Sequence, residues 1–103
     1  MYAVIFEVTP TAERADEYFD LAGLLKPELE AIDGFVSVER FQSLNDEGRF
    51  VSLSFWRDEE AIKRWREHVG HQAAQQKGKR GIFKDFRIRV AKVERDYSLA
   101  DRL

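Results

Sequence analysis

Between Arg49 and Trp65 the chain reads RFVSLSFWRDEEAIKRW, and inside that stretch the apolar pattern changes period. From Arg49 to Trp56 it alternates. Val51, Leu53 and Phe55 fall on one side, and Phe50, Ser52, Ser54 and Trp56 on the other, the spacing of a strand. From Asp58 onward the spacing is helical. Ala61, Ile62, Trp65 and Val69 lie three or four residues apart and make one apolar stripe. Asp58 is placed to cap that helix, and Glu59 and Glu60 suit its positive end. A strand that runs straight into an amphipathic helix is half of a β-α unit. The fold follows from what stands on either side.

Upstream, Tyr2 to Val8 alternates and predicts a first strand. Thr9, Pro10 and Thr11 break it and suit a helix start. Ala15, Tyr18, Phe19, Ala22 and Leu25 then form an apolar stripe, predicting a helix from about Ala12 to Leu25. Pro27 is expected to interrupt it, because proline lacks an N–H and clashes with the preceding turn. Glu28 to Ile32 adds at most another turn, and Asp33-Gly34 closes the element. Phe35 to Phe41 reads as a second strand, joined to the third through the turn cluster Asn45 to Gly48. Downstream, Gly70 is expected to weaken the second helix, with a separate short piece from His71 to Gln76. Lys77 to Gly81 is a basic, glycine-punctuated loop that lacks phosphate-loop spacing. Phe83 to Val93 is the last strand.

The order β-α-β-β-α-β is the split βαβ, ferredoxin-like α+β arrangement, with a four-stranded antiparallel sheet and both helices on one face. Residues 1–94 form one domain and 95–103 a C-terminal tail. The helix-free face of the sheet is expected to carry Ser52, Ser54 and Trp56 with Glu7, Glu39, Arg87 and Arg89. It reads as a homodimer surface, where two sheets pack together into a barrel.

Composition narrows the function. The chain has 103 residues, 17 Lys plus Arg against 19 Asp plus Glu, and no cysteine. The absence of cysteine excludes disulfide scaffolds and Cys-based zinc sites. A net charge of −2 gives no electrostatic reason to expect nucleic acid or an anionic membrane as partner. No apolar run reaches the roughly 20 residues of a membrane span. Glu7 interrupts the only stretch that resembles a signal sequence, so a cytoplasmic setting is expected.

The strand-to-helix stretch Ser52 to Trp65, His71 after it, the Asp33-Gly34-Phe35 turn and the final strand Phe83 to Val90 together resemble the antibiotic biosynthesis monooxygenase family of the dimeric α+β barrel superfamily. The resemblance implies a monooxygenase, and in one branch a cofactor-free one. Such an enzyme binds an aromatic or quinol-like small molecule, removes a phenolic proton and stabilises the anion while dioxygen reacts. A haem-degrading branch is the alternative. It implies an Asn on the first strand, a Trp on the second helix and a His ten residues after that Trp. Trp65 meets the second requirement, but Gln75 stands at the third and the first strand reads Ile5-Phe6-Glu7-Val8. A third reading is a non-catalytic dimer that binds a small ligand.

The candidate catalytic residues are His71 and His68, since a neutral imidazole is a suitable base. His68 sits three residues after Trp65 and therefore on a neighbouring part of the same helix. A metal shared by the two histidines would lack a third ligand. The candidate substrate-binding residues are Trp65, Tyr18 and Glu7. Each also has a structural role open to it. Trp65 and Tyr18 lie on apolar stripes that would pack as core, and Glu7 can pair across the sheet with Arg87 or Arg89.

Overall fold

The computed structural model describes the backbone of residues 1–75 and 82–102 and the side chains of residues 1–69 and 82–101. Strand β1 (Tyr2–Pro10) is central. It is flanked by β3 (Phe50–Trp56) and β4 (Phe83–Lys92), and β2 (Phe35–Gln42) lies outside β3, giving the order β2-β3-β1-β4. Every pairing is antiparallel, with Val4 opposite Ser54 on one side and Val90 on the other. Helices α1 (Ala15–Glu30) and α2 (Glu59–Gln75) connect the strands, and α3 (Leu99–Arg102) is a single turn near the C-terminus. This is the ferredoxin-like α+β fold that the alternating periods predict.

Three local readings are corrected. Helix α1 does not stop at Leu25; it follows a 3-10 turn (Ala12–Arg14) and runs through Pro27 to Glu30. Proline in mid-helix clashes with the carbonyl four residues back and frees it. Here that residue is Gly23, which is exposed, and a Cβ built on it would touch nothing within 4 Å. The backbone can bend there, and water can satisfy the freed carbonyl. Helix α2 is likewise continuous through Gly70 and His71. Lys77 to Gly81 lies outside the described residues.

The third correction concerns the sheet faces. Trp56 is 1% exposed and belongs to the core beneath the helices with Leu29, Ala61 and Ile62. Ser54 points the same way and accepts the Trp56 indole N–H at 2.9 Å, both groups buried. Ser52, Ser54 and Trp56 therefore line the helix side. The helix-free face carries Val51, Leu53 and Phe55, with Ile5, Glu7, Glu39, Phe41, Arg87 and Arg89 in register beside them. The indole decides the matter: its N–H must find an acceptor once buried, and Ser54 lies two residues away on its own face.

The core is in two parts. One gathers Leu29, Trp56, Ala61 and Ile62 at the Tyr2 end of the sheet. The other gathers Val8, Tyr18 and Ile82 at the opposite end of β1, with Phe6, Leu21 and Phe50 against it.

Candidate functional site

Helix α2 is aimed by a polar junction at its start. Asp58 Oδ1 accepts the Ala61 N–H at 2.9 Å, a capping bond, while Asp58 Oδ2 accepts Arg57 Nε at 3.0 Å. The Arg57 guanidinium also forks onto both oxygens of Asp33, at 3.2 and 3.1 Å. Arg64, one turn further along α2, donates to the Asp33 carbonyl at 2.9 Å. The junction ties α2 to the turn that ends α1. The Arg57 hydrogen bond and charge hold the Asp33 carboxyl below its ordinary value. The Ala61 N–H, then Arg57, do the same for Asp58. Arg57, between two carboxylates, is pushed further above its already high value.

Gly34 lets this junction close. Its φ of 96° is in the region that favours glycine, and its carbonyl accepts the Arg57 N–H at 2.7 Å. A Cβ at position 34 would lie 2.7 Å from Ala61 Cβ.

From this base α2 carries Trp65 and His68. Trp65 is half-buried against the Trp56 core. The His68 ring stacks on the Trp65 indole with centroids 5.6 Å apart and planes 27° from parallel. His68 Nε2 faces helix α1, 3.4 Å from Glu28 Oε1. The distance suits an ion pair, but the angle does not make a hydrogen bond, and Nε2 is sealed from solvent without a hydrogen-bond partner.

Part of the helix side of the sheet is exposed. Tyr18 of α1 reaches Phe83 at the start of β4, but further along that strand the helix-side residues stand open. Phe86, Ile88 and Val90 are 56%, 54% and 46% exposed. They alternate along β4 and pair with Val8, Phe6 and Val4 of β1. An aromatic group bounds this strip at one end. Phe6, Phe83 and Phe86 meet pairwise with centroids 5.9 Å apart, and Tyr18 meets Phe83 at 5.7 Å. The arrangement is an apolar, aromatic-ended trough on the β1–β4 half of the sheet, with α2 and its imidazole above the other half. It suits a flat apolar molecule better than a charged one.

The sequence candidates separate. Trp65 and His68 are in direct contact. Tyr18 is buried at the aromatic end, in the other core cluster. Glu7 is on the helix-free face, where Arg89 Nη1 lies 2.9 Å from its Oε1; it is not among the residues that line the trough. The backbone of His71 continues α2, and its side chain lies outside the described ones. Glu28 escaped the sequence reading because nothing in the local pattern links it to a residue 40 positions away. The bare strip of β4 was legible only as alternation, not as exposure. Among the described residues no group of three or more His, Asp or Glu could hold a metal ion. No helix among them is long and apolar enough to cross a membrane. Of two surface hollows of about 310 and 380 Å³, one lies around Glu7, Arg49 and Arg87 and touches the strip at Phe86, and the other lies around Met1, Phe55 and Arg95.

Comparison with known proteins gives a consistent picture. The sequence model of the antibiotic biosynthesis monooxygenase family matches residues 1–77. The chain is 46% identical over 93 residues to the Jasmonate monooxygenase ABM of Pyricularia oryzae, covering 90% of this chain but 43% of that protein. It thus spans less than half the length of that relative. It is 35% identical over 94 residues to YqjZ of Bacillus subtilis, covering 91% of this chain and 80% of that one. Among solved structures, an antibiotic biosynthesis monooxygenase family protein from Deinococcus radiodurans superposes with a TM-score of 0.79 at 17% identity, over 96% of this chain and 98% of that one. SnoaB, a cofactor-independent oxygenase from Streptomyces nogalater, gives 0.74 at 13% identity, over 92% and 94%. MhuD, solved with two manganese protoporphyrin IX molecules per active site, gives 0.72 at 18% identity, over 95% and 99%. These three likenesses concern the fold.

Proposed function

Since the chain belongs to the antibiotic biosynthesis monooxygenase family, we propose that it is a cofactor-independent monooxygenase of small aromatic or quinol-like molecules and that it works as a homodimer. The observation that carries this reading is the exposed strip Phe86, Ile88, Val90 with Phe6 and Phe83 at its end, on the helix side of the sheet, together with an imidazole stacked on Trp65 of α2. A flat substrate lies along the strip. A base on α2, His68 or His71, takes its phenolic proton. The O–H bond breaks, the electron pair stays on the substrate oxygen and the proton goes to the imidazole. The electron-rich anion then reacts with dioxygen at an activated CH2. One oxygen atom ends as a carbonyl on the substrate, and the other leaves as water with the two hydrogens of that carbon. This balance needs no external reductant. The chain's part is to bind, to hold the proton and to stabilise the anion.

The dimer is supported by the helix-free face. Val51, Leu53, Phe55, Ile5 and Phe41 form an apolar field, crossed by the Glu7–Arg89 pair, and such a field is suited to a second copy.

Oxygen uptake with a panel of polyphenols, quinols and anthrone-like tricyclic compounds tests the function. Jasmonate belongs in the panel because of the Pyricularia oryzae relative. Turnover of a panel member without added metal, flavin or haem is expected. Uptake that appears only once haemin is added, with a saturable Soret shift, would replace this reading by haem chemistry.

A further inference from the structure

Glu28 has no part in the proposed reaction as stated above, yet it is the acidic group that faces His68 Nε2 across the α1–α2 gap at 3.4 Å. We propose that Glu28 is a positioning residue, which fixes the neutral His68 ring with its proton on Nε2 and so leaves Nδ1 as the atom that accepts the substrate proton. This deepens the oxygenase reading and rests on it.

The argument is geometric. Nε2 is sealed from solvent, and a ring nitrogen buried beside a carboxylate oxygen is stable only as a donor, because two lone pairs facing one another repel. A small rotation of either side chain converts the 3.4 Å approach into an N–H···O bond. The Trp65 indole lies against one ring face and limits how the imidazole can turn. The ring is one-third exposed, and among the described residues no hydrogen bond engages Nδ1, so the second nitrogen is open to a ligand. A carboxylate behind one imidazole nitrogen and a reacting proton before the other is the arrangement by which a fixed tautomer makes a histidine an effective base. Glu28 acts through His68 and does not touch substrate.

The test combines spectroscopy with kinetics on the full chain. Nitrogen-15 spectra of the neutral protein are expected to show the His68 proton on Nε2, with a slowly exchanging Hε2 resonance that Glu28→Ala abolishes. With whichever panel compound is turned over, Glu28→Ala is expected to lower kcat at least about 10-fold, the lower end of the losses seen when the partner that orients a histidine is removed, with KM unchanged. Glu28→Gln keeps an acceptor and is expected to restore most of both signals, which a merely structural role for the carboxylate would not produce. A proton found on Nδ1, or unaltered kcat in Glu28→Ala, overturns the proposal. If the spectra are as expected and no panel compound reacts, the oxygenase reading falls while the tautomer assignment stands, so the two failures are distinguishable.

Discussion

Replacing Gly34 by alanine should damage this protein more than the same change at Gly23 or Gly48. Two costs combine. The first is conformational. At a φ of 96° a residue with a Cβ is strained by about 1–2 kcal/mol, the penalty of left-handed backbone for an L-residue. The second is steric. The new Cβ would stand 2.7 Å from Ala61 Cβ, where carbon atoms ordinarily meet at about 3.5–4.0 Å. The Arg57 guanidinium, 3.3 Å away, is a flexible tip and can move. Ala61 cannot: it is 0% exposed, and its N–H is held by Asp58. Forcing the contact open shifts the first turn of α2, an overpacking cost of about 1–3 kcal/mol. The sum is about 2–5 kcal/mol, a large share of the roughly 5–15 kcal/mol that holds a small domain together.

Urea unfolding at one fixed protomer concentration measures it, because the stability of the proposed dimer would depend on concentration. The two costs come apart in a double-mutant cycle. Ala61→Gly on its own costs about 1 kcal/mol of helix propensity and about another 1 kcal/mol for the buried methyl it removes. In the Gly34→Ala background it also removes the colliding methyl, so the pair should be less unstable than the sum by at least about 1 kcal/mol. A Gly34→Ala loss below about 0.5 kcal/mol, the scatter of ordinary surface substitutions, or an additive cycle, would refute the reasoning.

Other consequences are as direct. Ser54→Ala leaves the buried Trp56 N–H without an acceptor and should cost about 1–3 kcal/mol in denaturant unfolding, whereas Ser54→Thr should cost less. His68→Ala should lower kcat on a turned-over compound by roughly 10²–10⁴-fold with the urea midpoint little changed. Ile88→Asp, at an exposed position of the trough, should raise KM for an apolar substrate and leave the melting curve nearly unmoved. Leu53→Asp, on the helix-free face, should convert a dimer to a 12.1 kDa monomer in sedimentation equilibrium. Acid sensitivity should follow the Arg57 junction. The folded-state values of Asp33 and Asp58 are lowered, so their stabilisation is present above the unfolded carboxylate value of about 3.9 and is lost as pH falls through the folded values. In Arg57→Ala the acid limb of a stability–pH curve should be flatter below about pH 4, and added salt should shrink the difference.

The periods at Arg49 to Trp65 carried most of the fold, because a change from alternation to helical spacing is a local property of the chain. What they could not carry was which side of β3 meets the helices. Both sides are apolar enough: Val51, Leu53 and Phe55 on one, Phe50 and Trp56 on the other. The choice turns on a single hydrogen bond between Trp56 and Ser54 and on the space beneath Ala61 and Ile62, neither of which is written in periodicity. Pro27 misled for a related reason. Its helix-breaking effect depends on the residue four positions earlier, and here that residue is the exposed Gly23. At the site, the Trp65–His68 contact was legible as a three-residue spacing on one helix. Glu28 was not, since only the packing of α1 against α2 brings it near His68, and the placement of Glu7 on the far face followed from β1 alternation once the helix side was fixed.

The two-part core bears on why a strip of β4 is left exposed. Residues Leu29, Trp56, Ala61 and Ile62 close one end of the sheet, and Val8, Tyr18 and Ile82 close the other. Tyr18 of α1 reaches Phe83 at one end of β4, while Phe86, Ile88 and Val90 further along are left to water. That exposure is costly, at about 25 cal/mol for each Å² of apolar surface not buried, and no contact among the described residues repays it. A flat apolar molecule laid on the strip would recover part of the cost, and so would stabilise the folded chain as it binds. On the proposed function, the feature that weakens the unliganded domain is the one a substrate uses, so ligand-induced stabilisation should be lost in Ile88→Asp.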